Sequence, residues 1–154
     1  ILPQSLFAVY SLSEDKKALK IGYDSLSFLN DILFRNGYLN IIGNQEWYSK
    51  GGTIPLFDQQ PVDAASIYFA CMGAYESIGN KDHLNLAKLA HAWYREANIH
   101  SLSLYNPETG GCFDALTTDG VNLNQGAEST LSLLLCDLYA DKNMRAETEH
   151  ECSS

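Results

Sequence analysis

The sequence predicts an all-α fold: helical hairpins in two layers, about two and a half of them, with two long loops that carry short β segments. Three observations lead there. Segments apolar on every side alternate with segments whose apolar residues recur at helical spacing. Each apolar segment after the first is entered through the same chemistry, a glutamine followed three residues later by an acid: Gln60 and Asp63, then Gln125 and Glu128. Before each of these entries lies a long polar and aromatic loop, roughly residues 38–59 and 98–123. With 154 residues, 45% of them apolar, the chain is one domain able to bury a real core.

The elements follow in order. Residues 1–12 hold eight apolar positions and read as a buried helix. Ser13 is placed to cap a second helix, with Glu14 and Asp15 in its first turn. That helix is amphipathic: Ala18, Ile21, Leu26, Leu29 and Leu33 on one side are interleaved with Lys16, Lys20, Asp24 and Asp31, and Asn36-Gly37 ends it. The first loop contains an extended run at Tyr38–Ile42 and the aromatic pair Trp47-Tyr48, and a loop of this length is ordered and functional or not ordered at all. Pro61 suits the first position of the third helix, and from Val62 to Tyr75 eleven of fourteen residues are apolar. After Gly79-Asn80, a second amphipathic helix runs from about Asp82 to Ala97, with Leu84, Ala87, Ala90, Trp93 and Tyr94 inward. The second loop reads as two short strands, Leu102–Tyr105 and Gly111–Phe113, joined by the turn Asn106–Gly110. Leu131, Leu133, Leu134, Leu135, Cys136 and Leu138 then make another helix apolar all round, and a polar, frayed tail is expected from Asp141 onward.

Alternation of enclosed and half-exposed helices, with the surplus length of a 65-residue repeat falling on one edge, matches an α/α toroid spanning residues 1–140. Function belongs on that loop edge. On it lie Trp47, Tyr48, Asp58, Gln59, Gln60, Tyr105, Asp114, Asp119, Asn122, Asn124, Gln125 and Glu128, with Asp63 one turn into the third helix. Aromatic faces among amides and carboxylates suit a neutral, hydroxyl-rich ligand such as a sugar. The acids at the helix starts have a second reading, as complements to the helix dipole.

Charge and motifs narrow the classes. A net charge of −9 argues against nucleic acid as a partner, because phosphate binding needs basic patches. No phosphate-cradling glycine loop or H-E-x-x-H motif is present, no metal or other cofactor is expected, and His83, His91, His100 and His150 lack ligand spacing. His83 and His91 belong to an amphipathic helix and read as solvated. Cys71, Cys112, Cys136 and Cys152 contain no C-x-x-C pair, so the cytoplasm is the expected compartment, with Cys112 the one candidate reactive thiol. No signal peptide is recognisable, and the apolar opening at Ile1 is too short to span a membrane. It reads as a cut into a longer polypeptide.

The segments NIIGNQEWY, FDQQPVDAA, LYNPETGGCFDAL and DGVNLNQGAEST resemble the C-terminal helical region of a group of bacterial glycosyltransferases, an α/α toroid of the six-hairpin glycosidase type. The likeness covers roughly residues 14–140, with Ala115 standing where glycine is expected. It implies a carbohydrate-related role, with a glycan or sugar acceptor as ligand. It also implies that the remainder of a larger polypeptide, or a second subunit, covers the open helical edges. Three functions stay open: an accessory glycan- or acceptor-binding region; an inverting glycoside hydrolase-like site with Asp58 and Glu128 as its carboxylates; and a helical scaffold without a sugar site.

Overall fold

The computed structural model describes the backbone of residues 1–151 and the side chains of residues 1–144. It contains α1 (Leu2–Ser13), α2 (Lys16–Leu33), α3 (Pro61–Ile78), α4 (Lys81–Ala92), the strands β1 (Ala115–Thr117) and β2 (Gly120–Asn122), and α5 (Ala127–Glu151). Two-residue connections make hairpins of α1 with α2 and of α3 with α4, and α3 touches each of the other four helices. Mostly helical architecture with a small antiparallel sheet is thus what the alternation of segments predicts.

Local chemistry sets the boundaries. Glu14, left-handed at φ 54°, closes α1 by donating its N–H to the Tyr10 carbonyl. Asp15 then caps α2, its carboxylate accepting from the Lys17 amide at 2.8 Å and from the Ala18 amide at 3.4 Å. Ser13 is therefore the last residue of α1 and not the cap of α2; its hydroxyl is taken by the Val9 carbonyl. Pro61 occupies the first turn of α3 as expected, and Gly79 at φ 69° ends it. The fourth helix is shorter than its apolar pattern: it stops at Ala92 because the Asn98 amide captures the Trp93 carbonyl at 2.8 Å and the Tyr94 carbonyl is turned over to the Leu104 amide.

Burial corrects two expectations. Helix α3 is enclosed, with Ala64, Ala65, Ile67, Tyr68, Ala70, Cys71, Met72 and Ala74 all buried. By contrast α1 buries only Pro3 and Phe7. Phe7 sits in a notch left by two missing side chains, since a Cβ on Gly22 or Gly73 would lie 3.2 or 3.4 Å from Phe7 atoms. Helix α5 buries Ser129, Ser132, Leu133 and Cys136, while Leu131, Leu134, Leu135 and Leu138 face outward. The run apolar on all sides is here a helix with one packed face and one uncovered leucine face. The helix also continues through Glu151, where a frayed tail is expected from Asp141; residues 152–154 and the side chains of Glu147, Glu149 and Glu151 lie outside the described residues.

In the second loop the hairpin is displaced from its expected place. The segments 102–105 and 111–113 form only isolated pairings, Tyr105 with Cys112 and Ser103 with Arg95, around the expected turn at Asn106–Gly110. The ladder itself is Ala115–Thr117 against Gly120–Asn122, with Gly120 at φ 138° supplying the turn geometry that a side chain disfavours. No described helix is long and apolar enough to cross a membrane.

Candidate functional site

The two loops are stitched together at one point. Gln59 and Leu116 exchange both backbone hydrogen bonds, at 3.0 and 2.9 Å, so the end of the first loop runs antiparallel to β1. The stitch is locked from beneath by the Gln59 side chain. Its Nε2 donates to Asn40 Oδ1 and to the Leu56 carbonyl, both at 2.9 Å, and its Oε1 accepts from Trp93 Nε1 at 3.1 Å. Gln59 is fully buried, so it is no substrate ligand; that expectation fails because Asn40, Trp93 and the Leu56 carbonyl take up its amide. A second close approach holds the loop to itself. The amides of Gly43, Asn44 and Gln45 donate to the carbonyls of Pro55, Asp58 and Phe57, and a Cβ on Gly43 would lie 2.0 Å from the Phe57 oxygen.

Above the stitch opens a cavity of about 550 Å³, lined by Asp58 and Gln60 from the first loop, Asp114, Thr117 and Asn122 from the second, and Glu128 and Ser129 from the first turn of α5. The starts of α3 and α5 therefore meet at one hollow, but of the two Gln-x-x-acid pairs expected to converge there only Gln60 and Glu128 line it. The two copies are not in phase, however. Gln60 is the N-cap of α3 and Asp63 its third residue, whereas Gly126 separates Gln125 from α5 and leaves Glu128 as that helix's second residue. Gln125 accordingly turns away to the Asn106–Gly110 turn, where its Oε1 accepts from Thr109 Oγ1 at 2.5 Å.

Asp114 plays a structural part in this wall. Its Oδ1 accepts from the Gly126 amide and the Ser129 hydroxyl, both at 2.7 Å, and its Oδ2 accepts from the Asn124 amide group. These bonds, Ser129's foremost, hold the Asp114 carboxyl below its usual range. It caps α5 by accepting from the N–H of Gly126, the residue before the helix, as the acid of a capping box does, and it keeps Asn124 engaged. Asp63 behaves oppositely. Burial first, and the nearby Glu128 carboxylate second, raise its pKa.

Asp63 faces a second cavity of about 570 Å³, walled by Leu29, Leu33, Ile41, Ile42 and Ile67 and rimmed by Asn44, Glu46, Trp47, Tyr48 and Ser66. Trp47 and Tyr48 thus belong to this apolar hollow and do not line the polar one. Tyr105 is engaged elsewhere, its ring 5.6 Å beneath the Arg95 guanidinium.

Several polar groups were not readable as structured from their sequence positions. Thr117 and Ser129 join the cavity wall, and the only trace of Ser129 in the sequence is its place at the end of the second repeat. His83, expected in solvent, is buried against the edge of Tyr23, and both of its ring nitrogens are without a hydrogen-bond partner. His91, also expected in solvent, is partly buried and meets Asp137 at 2.6 Å, while Arg95 binds the same carboxylate with both of its oxygens. Cys112 is buried and its thiol is pushed up to about 12 by that burial, which removes it as a reactive group. Among the described residues no three His, Cys, Asp or Glu side chains are grouped to hold a metal. No family model matches the chain, and no curated protein matches it either.

Proposed function

We propose that the polar cavity at the mouths of α3 and α5 binds a glycan, and that the chain serves as the glycan- or acceptor-binding region of a carbohydrate-active protein, as its resemblance to bacterial glycosyltransferase C-terminal regions implies. The observation that carries this reading is the composition of that one cavity. The two loops and the first turn of α5 bring Asp58, Gln60, Thr117, Asn122 and Glu128 to a hollow of about 550 Å³, a size that fits one or two sugar rings. Carboxylates and amides bond pairs of adjacent hydroxyls, and the absence of any cationic side chain from this lining disfavours phosphate and nucleotide ligands. The pairing of α1 with α2 and of α3 with α4, with α5 set against α3, is compatible with an arc of an α/α toroid whose loops crown one mouth.

Calorimetric titration against a panel of neutral monosaccharides and disaccharides tests the reading. A member of the panel should bind, and Gln60→Ala or Asn122→Ala should weaken it on the order of tenfold, the loss of one or two good hydrogen bonds, while leaving the circular dichroism spectrum unchanged. Absence of binding across the panel, or binding indifferent to both substitutions, would leave only the scaffold reading.

A hydrolytic reading has one observation in its favour: Asp58, from the first loop, and Glu128, from the first turn of α5, reach the same cavity. Inverting hydrolysis needs an acid and a base about 6.5–9.5 Å apart with water between them. Release of reducing sugar by the chain, abolished by Glu128→Gln, separates this reading from binding alone.

A further inference from the structure

The polar cavity has a neighbour of opposite character, and the two share a wall. Asn44, on the rim of the apolar hollow, donates its amide to the carbonyl of Asp58, which lines the polar one, at 3.1 Å. The first turn of α3 forms the rest of the partition, with Gln60 on the polar side and Asp63 on the apolar side. Asp63 senses the charge of Glu128 across it. The apolar hollow is walled by Leu29, Ile41, Ile42 and Ile67, and over it stands the Trp47 indole, 98% exposed. An indole this bare contributes nothing to the core, and in water it is a standing cost that a stacked ligand would relieve.

We infer that the two hollows form one bipartite site, in which the polar cavity takes a sugar and the apolar one takes an uncharged aromatic or aliphatic aglycone attached to it, stacked on Trp47. The inference rests on the sugar reading above and names its ligand class as glycosides with an apolar substituent. The lining supports the choice: Leu29, Leu33, Ile41, Ile42 and Ile67 give an apolar substituent a wall to pack against, while the polar side chains Asn44, Glu46 and Ser66 share the lining with the Trp47 and Tyr48 rings.

The test uses matched probes, a panel of methyl hexosides and their 4-nitrophenyl counterparts, titrated calorimetrically. For any hexoside that binds, the aryl form should bind on the order of tenfold more tightly, the gain from burying one ring face. Trp47→Ala and Ile42→Ser should each abolish that gain and leave the methyl hexoside affinity unchanged. Gln60→Ala should weaken both probes by the same factor. Because Trp47 is surface-exposed, its variant keeps the fold, so loss of the gain is readable. Equal affinities for the two probes, or an aryl gain that survives both substitutions, would overturn the bipartite site while leaving the sugar reading standing. Failure of every hexoside, methyl and aryl alike, would overturn both.

Discussion

Gln59 and Gln60 are neighbours in sequence with opposite fates. Gln59 is sealed beneath the junction of the two loops, with Trp93, Asn40 and the Leu56 carbonyl as its partners, and Gln60 opens onto the cavity. Replacing Gln59 with leucine keeps the volume but strands the Trp93 indole N–H and the Asn40 side chain, each at about 1–3 kcal/mol. Gln59→Leu should therefore lose about 2–6 kcal/mol in urea unfolding, while Gln60→Leu should fall within about 0.5 kcal/mol of the parent and lose ligand instead. Equal stabilities would contradict the network. His83 makes a second residue-scale case. Burial lowers its pKa, so the unfolded chain binds a proton more readily than the folded one. Stability rises with pH wherever that holds, so the penalty is absent well above the ordinary histidine value near ~6.5 and grows as pH falls through it. Unfolding midpoints at pH 7.5 and 5.5 should show this drop, and His83→Met should flatten the His83 part of it; an unchanged slope in the variant would refute the assignment.

At the scale of elements, α5 depends on a cap borrowed from the second loop. Asp114→Ala removes the acceptor for the Gly126 amide and the Ser129 hydroxyl and should cost about 1–2 kcal/mol. Because the Asp114 pKa is depressed, that contribution is present above the unfolded aspartate value and is lost only as pH falls through the lower folded one. Thermal melts of the parent and Asp114→Ala should accordingly converge in strong acid, and melts that stay apart there would show that the carboxylate charge is not what caps the helix. The first loop has its own vulnerable point at Gly43, whose missing side chain lets two strands of the loop touch. How legible these elements are depends on what sets them. Helix α3 was readable because apolar residues on every side have one physical outcome when neighbours surround the helix. The same pattern in α5 misled, because Leu131, Leu134, Leu135 and Leu138 are apolar whether or not anything covers them. The second-loop strands lie further along the chain than composition indicates, because Gly111–Phe113 looks extended by composition whereas the ladder is set by the turn at Gly120. In the site, the meeting of Gln60 and Glu128 follows from the repeated pattern, but which of two adjacent glutamines points inward is decided by Trp93, thirty-odd residues away, and nothing local encodes it.

The whole molecule is organised around α3, which contacts every other helix, while α1 and α5 each carry an uncovered apolar face. On α5 the four exposed leucines fall at spacings of three and four, a continuous stripe along one side of the helix, with Leu138 58% exposed. A stripe of this kind drives association through burial of apolar area at about 25 cal/mol per Å². Opposing it is the net charge of −9, which makes two copies repel at low ionic strength. The balance gives a testable signature: sedimentation of the isolated chain should show association that rises with concentration and with added salt, since salt screens the repulsion and leaves the hydrophobic term in place. Leu131→Lys with Leu138→Lys should keep the chain monomeric under the same conditions and should not alter its helical content. Leu133→Lys, two residues from Leu131 but on the packed face, should unfold the helix instead, because it forces an unpaired charge into the core. A chain that stays monomeric in high salt, or a double variant that associates as the parent does, would show that the stripe is not a contact surface and that the apolar face of α5 tolerates water as it stands.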